Sequence, residues 1–445
     1  MKKIINWSRT RSCYADVFHP KEYFEISNLI KNNSSVQKIA FRASGGSYGD
    51  CTLNDGGKII YLNNFNKILS LNEEKQSVIV QSGVKIQDLL NHIMPKGFYV
   101  HSVPGFNEAT VGGCINSNVH GKDAHSKGVF GNNVLSLKVI NSEGQISTLK
   151  KGSEEFLSAI GFYGLTYVIL EAELKISKIK STLLDVKTIK FSTYENLIKL
   201  FEKYEGTNHD MMGAWINHFD YLGSGIFKAA RWSHDSSFFK KINLINNFLK
   251  KIIILFIYPL INFFIVNRFV IKRLNSILFN FSHDSQKIIH YKNFYFPQQT
   301  YLPDESKLYS KGKVNIQILI PKINTLEILH TISKLCKTYK MESWWLGIKK
   351  HKHDAYILSY ALDGYDITLQ WSKKYTEQKK FNIFYEELIE LVLKNKCLIY
   401  LTQDILLNKK VFEKLYKDHK IFKEIKMKSD KNKLFNNCLY QRLFD

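Results

Sequence analysis

Hydrophobic and polar positions along the chain switch period several times, and each switch marks an element. Apolar residues recur at helical spacing over Glu22–Lys31 and over Ile86–Met94, the second closed by Pro95 and Gly97. Lys58–Asn63, Ser77–Val80 ahead of Gly83, and Tyr167–Ile176 are short apolar runs that predict strands. Leu135–Ile140 and Gln145–Leu149 flank Asn141-Ser-Glu-Gly144 and predict a hairpin. Residues 1–180 thus form a mixed α/β unit. Beyond Lys180 glycine thins out, and the pattern predicts a strand at Val186–Phe191 and a helix at Tyr194–Tyr204. Val314–Ile320 alternates polar and apolar residues, as a sheet strand does. Helices are predicted at Ile323–Tyr339, Phe381–Lys394, Lys409–Lys417 and Leu434–Leu443, and a hairpin of strands at Ala355–Leu362 and Asp366–Trp371. No internal repeat is visible.

One stretch stands apart. Residues 252–266 (IIILFIYPLINFFIV) are almost wholly apolar and flanked by Lys250, Lys251, Arg268, Lys272 and Arg273. The run is short of the roughly 20 residues a membrane-spanning helix needs, and Pro259 would kink such a helix. Three readings stay open: a core helix, an interfacial membrane-binding segment, or a wall of a greasy substrate channel. Flanking cations around an apolar body suit the interfacial reading.

Composition narrows the class. The 445 residues are 44% hydrophobic, a globular value, and long enough for two domains. Six scattered cysteines without a C-x-x-C pair argue against a zinc ribbon or disulfide framework and fit a reducing compartment. The N-terminus has lysines without an apolar stretch behind them, so no signal peptide is expected. The net charge of +23 is spread along the chain and comes with no nucleic-acid signature.

Two glycine-dense turns carry the chemistry: Phe41-Arg-Ala-Ser-Gly-Gly-Ser-Tyr-Gly-Asp50 and Pro104-Gly-Phe-Asn-Glu-Ala-Thr-Val-Gly-Gly113. Glycine tolerates positive φ and has no Cβ, so such turns aim several N–H groups at one point and make a nest for an anion. Two nests suit a pyrophosphate held from both sides. No G-x-G-x-x-G opens a helix after a strand, so this is not a Rossmann site.

The second turn continues into Asn118-Val-His-Gly-Lys122, His125-Ser126 and Gly128-Val-Phe-Gly-Asn132. With Ser47-Tyr-Gly-Asp50 and Gly164-Leu-Thr166, this run resembles flavoenzymes of the vanillyl-alcohol-oxidase type, and within them the decaprenylphosphoryl-β-D-ribose 2′-oxidase family. Looser similarity continues through Asn293–Pro297, Gln317–Pro321 and Tyr400–Asp404. The resemblance implies an α+β fold: a two-subdomain PCMH-type FAD-binding domain at 1–184, an inserted α+β substrate domain at 185–397, and a tail, 398–445, that returns to the FAD domain. It implies FAD contacts from Ala43, Ser44, Gly45, Gly46, Ser47, Tyr48, Gly49, Asp50, Gly105, Thr110, Val111, Gly112, Gly113, Ser117, Asn118, His120, Val168 and Tyr400. Many relatives attach flavin covalently to a histidine; Gly46 stands there, so non-covalent FAD is expected. Cys114 reads as packing and Lys122 as positional. No metal is expected.

Flavin oxidation of an alcohol needs a carbinol carbon placed for hydride transfer to N5, a proton acceptor, and a donor that stabilises the reduced ring. Carried over from the family, Tyr48, Tyr295, Gln317, Lys349 and Gln403 are the candidate catalytic residues. Asn315 occupies a second glutamine position. The family's lysine is Gln403 here, which keeps a hydrogen bond and loses the charge; its cysteine position falls at Thr368. Lys349 or Lys350 is a candidate for the missing charge.

The expected activity is oxidation of a sugar ring hydroxyl to a ketone, with the 2′-OH of a polyprenyl-phosphoryl pentose in cell-envelope glycan synthesis as substrate. An aldonolactone oxidase, such as one acting on D-arabinono-1,4-lactone, and a non-catalytic lipid- or glycan-binding flavoprotein are the alternatives. The resemblance also implies a short-chain NAD(P)H-dependent reductase as partner. The expected location is cytoplasmic, with peripheral contact at the inner face of the cell membrane and no nucleic acid partner.

Overall fold

The fold is seen in a computed structural model, which describes residues 1–33, 37–234, 255–256, 259, 267–301 and 312–445. The apolar run 252–266 lies outside the described residues except for Leu255, Phe256 and Pro259, which are exposed. Among the described residues no helix is long and apolar enough to cross a membrane.

Helices and strands mix throughout, around three main sheets. The first has four strands in the order Lys2–Ile5, Ser12–Phe18, Lys58–Tyr61, Ile39–Arg42; the outer pair Lys2–Ile5 and Ser12–Phe18 is antiparallel and the other two pairings are parallel. The second is antiparallel, in the order Ile68–Asn72, Ser77–Gln81, Val168–Lys175, Val134–Ile140, Ile146–Lys150. The expected hairpin is its last pair, with Lys138 opposite Thr148. Helix Ile86–Ile93 buries Ile86, Leu89, Leu90 and Ile93 in this sheet's core and runs into the short 3-10 turn Met94–Lys96, which ends at Gly97 in the left-handed region.

The third sheet is antiparallel and has eight strands: Ser285–His290, Leu183–Phe191, Gly225–Trp232, Met211–Ile216, Leu346–His351, Gly364–Ser372, Lys313–Pro321 and Leu398–Ile399. Side chains alternate across a strand, and here the alternation sorts by chemistry. Ile316, Ile318, Ile348, Ile367, Leu369, Met212 and Phe227 share one apolar core with helices Tyr194–Tyr204, Thr325–Tyr339 and Lys379–Lys394. The intervening residues, among them Asn315, Gln317, Lys349, Thr368, Gln370, Gly213 and Lys228, face a cavity instead.

Two expectations are corrected. Ala355–Leu362 is not a strand: Gly364–Ser372 pairs with Leu346–His351, and 352–363 is the connection between them. Its apolar residues Leu358, Tyr360 and Ala361 are buried by packing rather than by a ladder, which mimics a strand pattern. Leu434–Leu443 is helical only from Cys438; before that, Phe435 bridges Ile39 in parallel, with Ile39 N–H donating to Leu434 (2.8 Å). Helix His419–Ser429 had no counterpart in the sequence reading.

The tail is thereby tied to the start of the chain. Arg442 grips Asp50 through two nitrogens at 2.9 Å and Asp404 at 2.8 Å, with all three groups largely buried. Buried Lys426 pairs with Asp430 and donates to the carbonyls of Leu165 (2.6 Å) and Phe435 (2.7 Å).

Candidate active site

A cavity of about 580 Å³ lies between the first glycine turn, the 104–122 segment and the polar face of the eight-stranded sheet. Strand Ile39–Arg42 delivers the chain to the turn, where Gly45 takes φ +63°. The amides of Ser44, Gly45, Gly46 and Ser47 donate to nothing among the described residues, and the buried Ser44 hydroxyl has no partner. Buried polar groups are normally paired, so these donors are aimed at something the cavity receives. The turn is held open from outside. Asn6 and Ser8 side chains donate to the Tyr48 carbonyl at 2.7 Å, while Ser47 Oγ and the Gly49 amide donate to Thr402 O at 2.6 and 2.8 Å.

The second turn works differently from the expected nest. Val111 N–H donates to Val84 O and Gly112 N–H to Ser82 O, both at 2.8 Å, and Gly113 N–H to the Thr110 hydroxyl at 3.3 Å. Those amides are spent. The glycines there serve close approach: a Cβ on Gly112 would stand 2.7 Å from Ser82 Cβ. On this side the amides of Gly105 and Phe106 donate to nothing among the described residues.

At the sheet end a polar cluster faces the cavity. Lys349 Nζ donates to His120 Nδ1 at 2.9 Å and stands 3.7 Å from Asp366. Gln317 Nε2 lies 3.2 Å from His120 Nε2 and donates to Asp366. His351 Nε2 is 3.3 Å from the same carboxylate. Burial lowers the pKa of His120 well below its ordinary value, aided by the charges of Lys349 and His351 against the opposing pull of Asp366, so the ring is neutral. For Asp366 burial alone would favour the acid, but the Lys349 ammonium and two imidazoles outweigh it and hold the carboxyl well below the usual range. His120, His351 and Asp366 bring ligand-type atoms within 4.8 Å of one another; the Lys349 ammonium supplies the positive charge beside them.

Of the sequence-derived residues, Ala43, Ser44, Gly45, Gly46, Ser47, Tyr48, Gly105, Thr110, Gly112, Gly113, Ser117, His120, Gln317, Lys349, Tyr400 and Gln403 line the cavity, as do Asn315 and Thr368. Asn315 donates to Gln403, and the Tyr400 hydroxyl donates to Ser117 O at 2.9 Å. Six lie off the lining. Gly49 packs on tail carbonyls, Asp50 binds Arg442, Val111 and Val168 are buried in the core, Asn118 accepts from Gly131 N–H at 3.0 Å, and Tyr295 packs on Tyr99 with ring centroids 5.7 Å apart. Lys350 points to the opposite sheet face, paired with Glu205. Lys122 is half positional: it donates to the carbonyls of Phe294 and Tyr295 (3.3 Å) while lining the cavity. Buried Cys114 has its thiol pushed up by desolvation, as does Cys51, up to about 11.

Sequence reasoning missed Asp366, His351, Trp7 and Lys228. Asp366 had a signal, since it leads the alternation Asp366, Thr368, Gln370 on a predicted strand. Trp7 had none: it meets Tyr48 (4.7 Å) and Phe106 (5.6 Å) only through the fold.

Residues 15–150, which include the open amides, match the family described as FAD binding domain. That segment is an FAD-binding domain, and FAD is the cofactor its unpaired donors fit. The chain is similar to decaprenylphosphoryl-beta-D-ribose oxidase of Mycolicibacterium smegmatis, 28% identical over 48% of this chain and 48% of that protein. It is also similar to L-gulonolactone oxidase of Bos taurus, 27% identical over 39% of this chain and 40% of that protein. D-arabinono-1,4-lactone oxidase of Kluyveromyces lactis is 26% identical over 40% of this chain and 35% of that protein. The chain spans about half, or less, of the length of the curated relatives it matches.

Proposed function

We propose that this protein is an FAD-dependent oxidoreductase that oxidises a sugar ring hydroxyl to a ketone, with a polyprenyl-phosphoryl pentose as substrate. The observation that supports it best is one cavity with unpaired amides of residues 44–47 at one side and the His120, Lys349, Gln317 and Asp366 cluster at another. The similarity to enzymes named as a ribose oxidase and as lactone oxidases supports CH–OH chemistry.

Ser44 to Ser47 would hold the FAD diphosphate, without a covalent bond, since Gly46 carries no nucleophile and both nearby thiols are kept protonated. Bound there, FAD supplies a two-electron acceptor for the carbinol carbon. The neutral His120 accepts the hydroxyl proton at Nδ1, the nitrogen to which Lys349 donates until its ammonium turns to the reacting oxygen, and Asp366, 3.9 Å from Nε2, stabilises the imidazolium that results. The Lys349 ammonium stabilises the alkoxide character of the reacting oxygen. Gln317, fixed between His120 and Asp366, orients both. Lys349 also supplies the positive charge that Gln403 lacks. The layout would be the FAD domain 1–184, the substrate domain 185–397 and the returning tail 398–445. A short-chain NAD(P)H-dependent reductase would take the ketone onward, and peripheral membrane contact would suit a lipid-linked substrate.

The alternative substrate class is an aldonolactone, favoured by the similarity to two lactone oxidases. Anaerobic reduction of the FAD-loaded protein by polyprenyl-phosphoryl ribose, arabinose and xylose analogues and by sugar lactones decides between them. Bleaching by a prenyl-phosphoryl sugar supports the proposal, and bleaching by lactones alone replaces it. No bleaching by any sugar contradicts the enzyme reading and leaves the non-catalytic flavoprotein.

A further inference from the structure

The cavity's charge is one-sided. Among the described residues its lining includes Arg42, Lys122, Lys228 and Lys349 and no aspartate or glutamate. Arg42 is occupied beneath the glycine turn, donating to Thr52 Oγ1 (2.8 Å) and Ile5 O (3.1 Å). Asp366, behind the wall, balances Lys349. Among the described residues two cations remain without a carboxylate: Lys122 hydrogen-bonds carbonyls alone, and Lys228 makes no hydrogen bond or ion pair.

The sheet register brings these charges together. Gly213 pairs with Lys228 on one side, and a Cβ built on Gly213 would lie 3.7 Å from Lys349 Cγ on the other. Two lysine stems therefore flank a position with no side chain. Lys122 reaches the same region from the 118–128 loop, and burial together with the charges of Lys349 and Lys228 pushes it down to about 7. Like charges held this close in a partly dry cavity repel one another. A bound anion relieves that repulsion, and the gap above Gly213 gives it room.

We propose that Lys228, Lys349 and Lys122 form a subsite for a phosphate ester on the substrate, with Lys228 as the residue that selects for it. This rests on the reading of the cavity as an oxidoreductase site. The phosphate could belong to a lipid-linked sugar or to a soluble sugar phosphate, and the chemistry of recognition is the same. Three donors on flexible stems suit an oxyanion with several terminal oxygens.

The test is calorimetric titration of the FAD-loaded full chain at fixed ionic strength. The probes are inorganic phosphate, a short prenyl phosphate and the matching prenyl alcohol. Both phosphates should bind, and Lys228→Gln should weaken both by about tenfold or more, the worth of one charge-assisted hydrogen bond. Lys228→Arg should restore most of the affinity, and alcohol binding should not change. Prenyl phosphate binding tighter than inorganic phosphate would assign a lipid-linked substrate; equal binding would assign a soluble one. Equal phosphate affinity in wild type and Lys228→Gln, or no phosphate binding by yellow protein, overturns the subsite alone. A protein that stays colourless with added FAD overturns the oxidoreductase reading as well.

Discussion

At the scale of single residues, the account turns on a lysine, a histidine and an aspartate in contact, where the lysine helps keep the histidine neutral and the aspartate ionised. Replacing Lys349 by methionine removes the charge beside the reacting oxygen, and anaerobic flavin reduction should slow by about 10²-fold or more. An unchanged rate would remove Lys349 from the mechanism. Asp366 acts through its neighbours, so it is a positioning residue with its own signature. It raises the proton affinity of His120. In Asp366→Asn the His120 pKa should fall further, and the acid limb of the rate profile should move to lower pH while the maximum rate drops. A loss of rate with no movement of that limb would mean a purely structural role. Lys349 was legible in the sequence because a family motif carries it. Asp366 was legible only as one beat of an alternating strand, and Lys228 not at all. Its place in the cavity is set by pairing with Gly213, 15 residues away across a turn, and no local pattern encodes that register.

At the scale of elements, glycine density proved an incomplete guide. Both turns look alike in sequence, yet 44–47 presents a run of four amides unpaired among the described residues, while in the second turn 111–113 uses its amides internally and needs glycine for packing against Ser82. Gly112→Val should therefore lower FAD affinity by displacing the helix start, which fluorescence titration of apo-protein with FAD would read. Most predicted strands and helices recur within a residue or two, because their apolar faces really are buried. The exception, 355–362, is a buried connection, and burial without a ladder gives the same apolar pattern as a strand. The tail's short pairing with Ile39 was hidden inside an apparent helix for the converse reason: two hydrogen bonds to a distant strand leave no periodicity.

At the scale of the whole molecule, the tail and the first sheet are joined through Arg442. Removing it leaves the buried carboxylates of Asp50 and Asp404 without their main partner, so Arg442→Ala should cost about 3–5 kcal/mol, seen as a lower chemical-denaturation midpoint. Asp50 was expected among FAD contacts and is instead part of this clasp. Acid should also loosen the fold in a defined window. Burial pushes His125, His218 and His290 from 6.5 down to about 4. Below pH 6.5 the unfolded chain takes up protons that the folded chain refuses, so stability present above 6.5 is lost as pH falls toward 4. Thermal midpoints measured between pH 7.5 and 4.5 should decline through that interval; a flat profile would contradict the assignment.

The open amides of Ser44 to Ser47 make the most direct claim, that this cavity holds a flavin nucleotide by main-chain donors and without a covalent bond. The measurement is the absorbance spectrum of the full chain after incubation with FAD and gel filtration, followed by denaturation. The account predicts a yellow protein with about one FAD per chain, all of it released into solution on unfolding. Protein that elutes colourless, or flavin that stays attached to the unfolded chain, would contradict it.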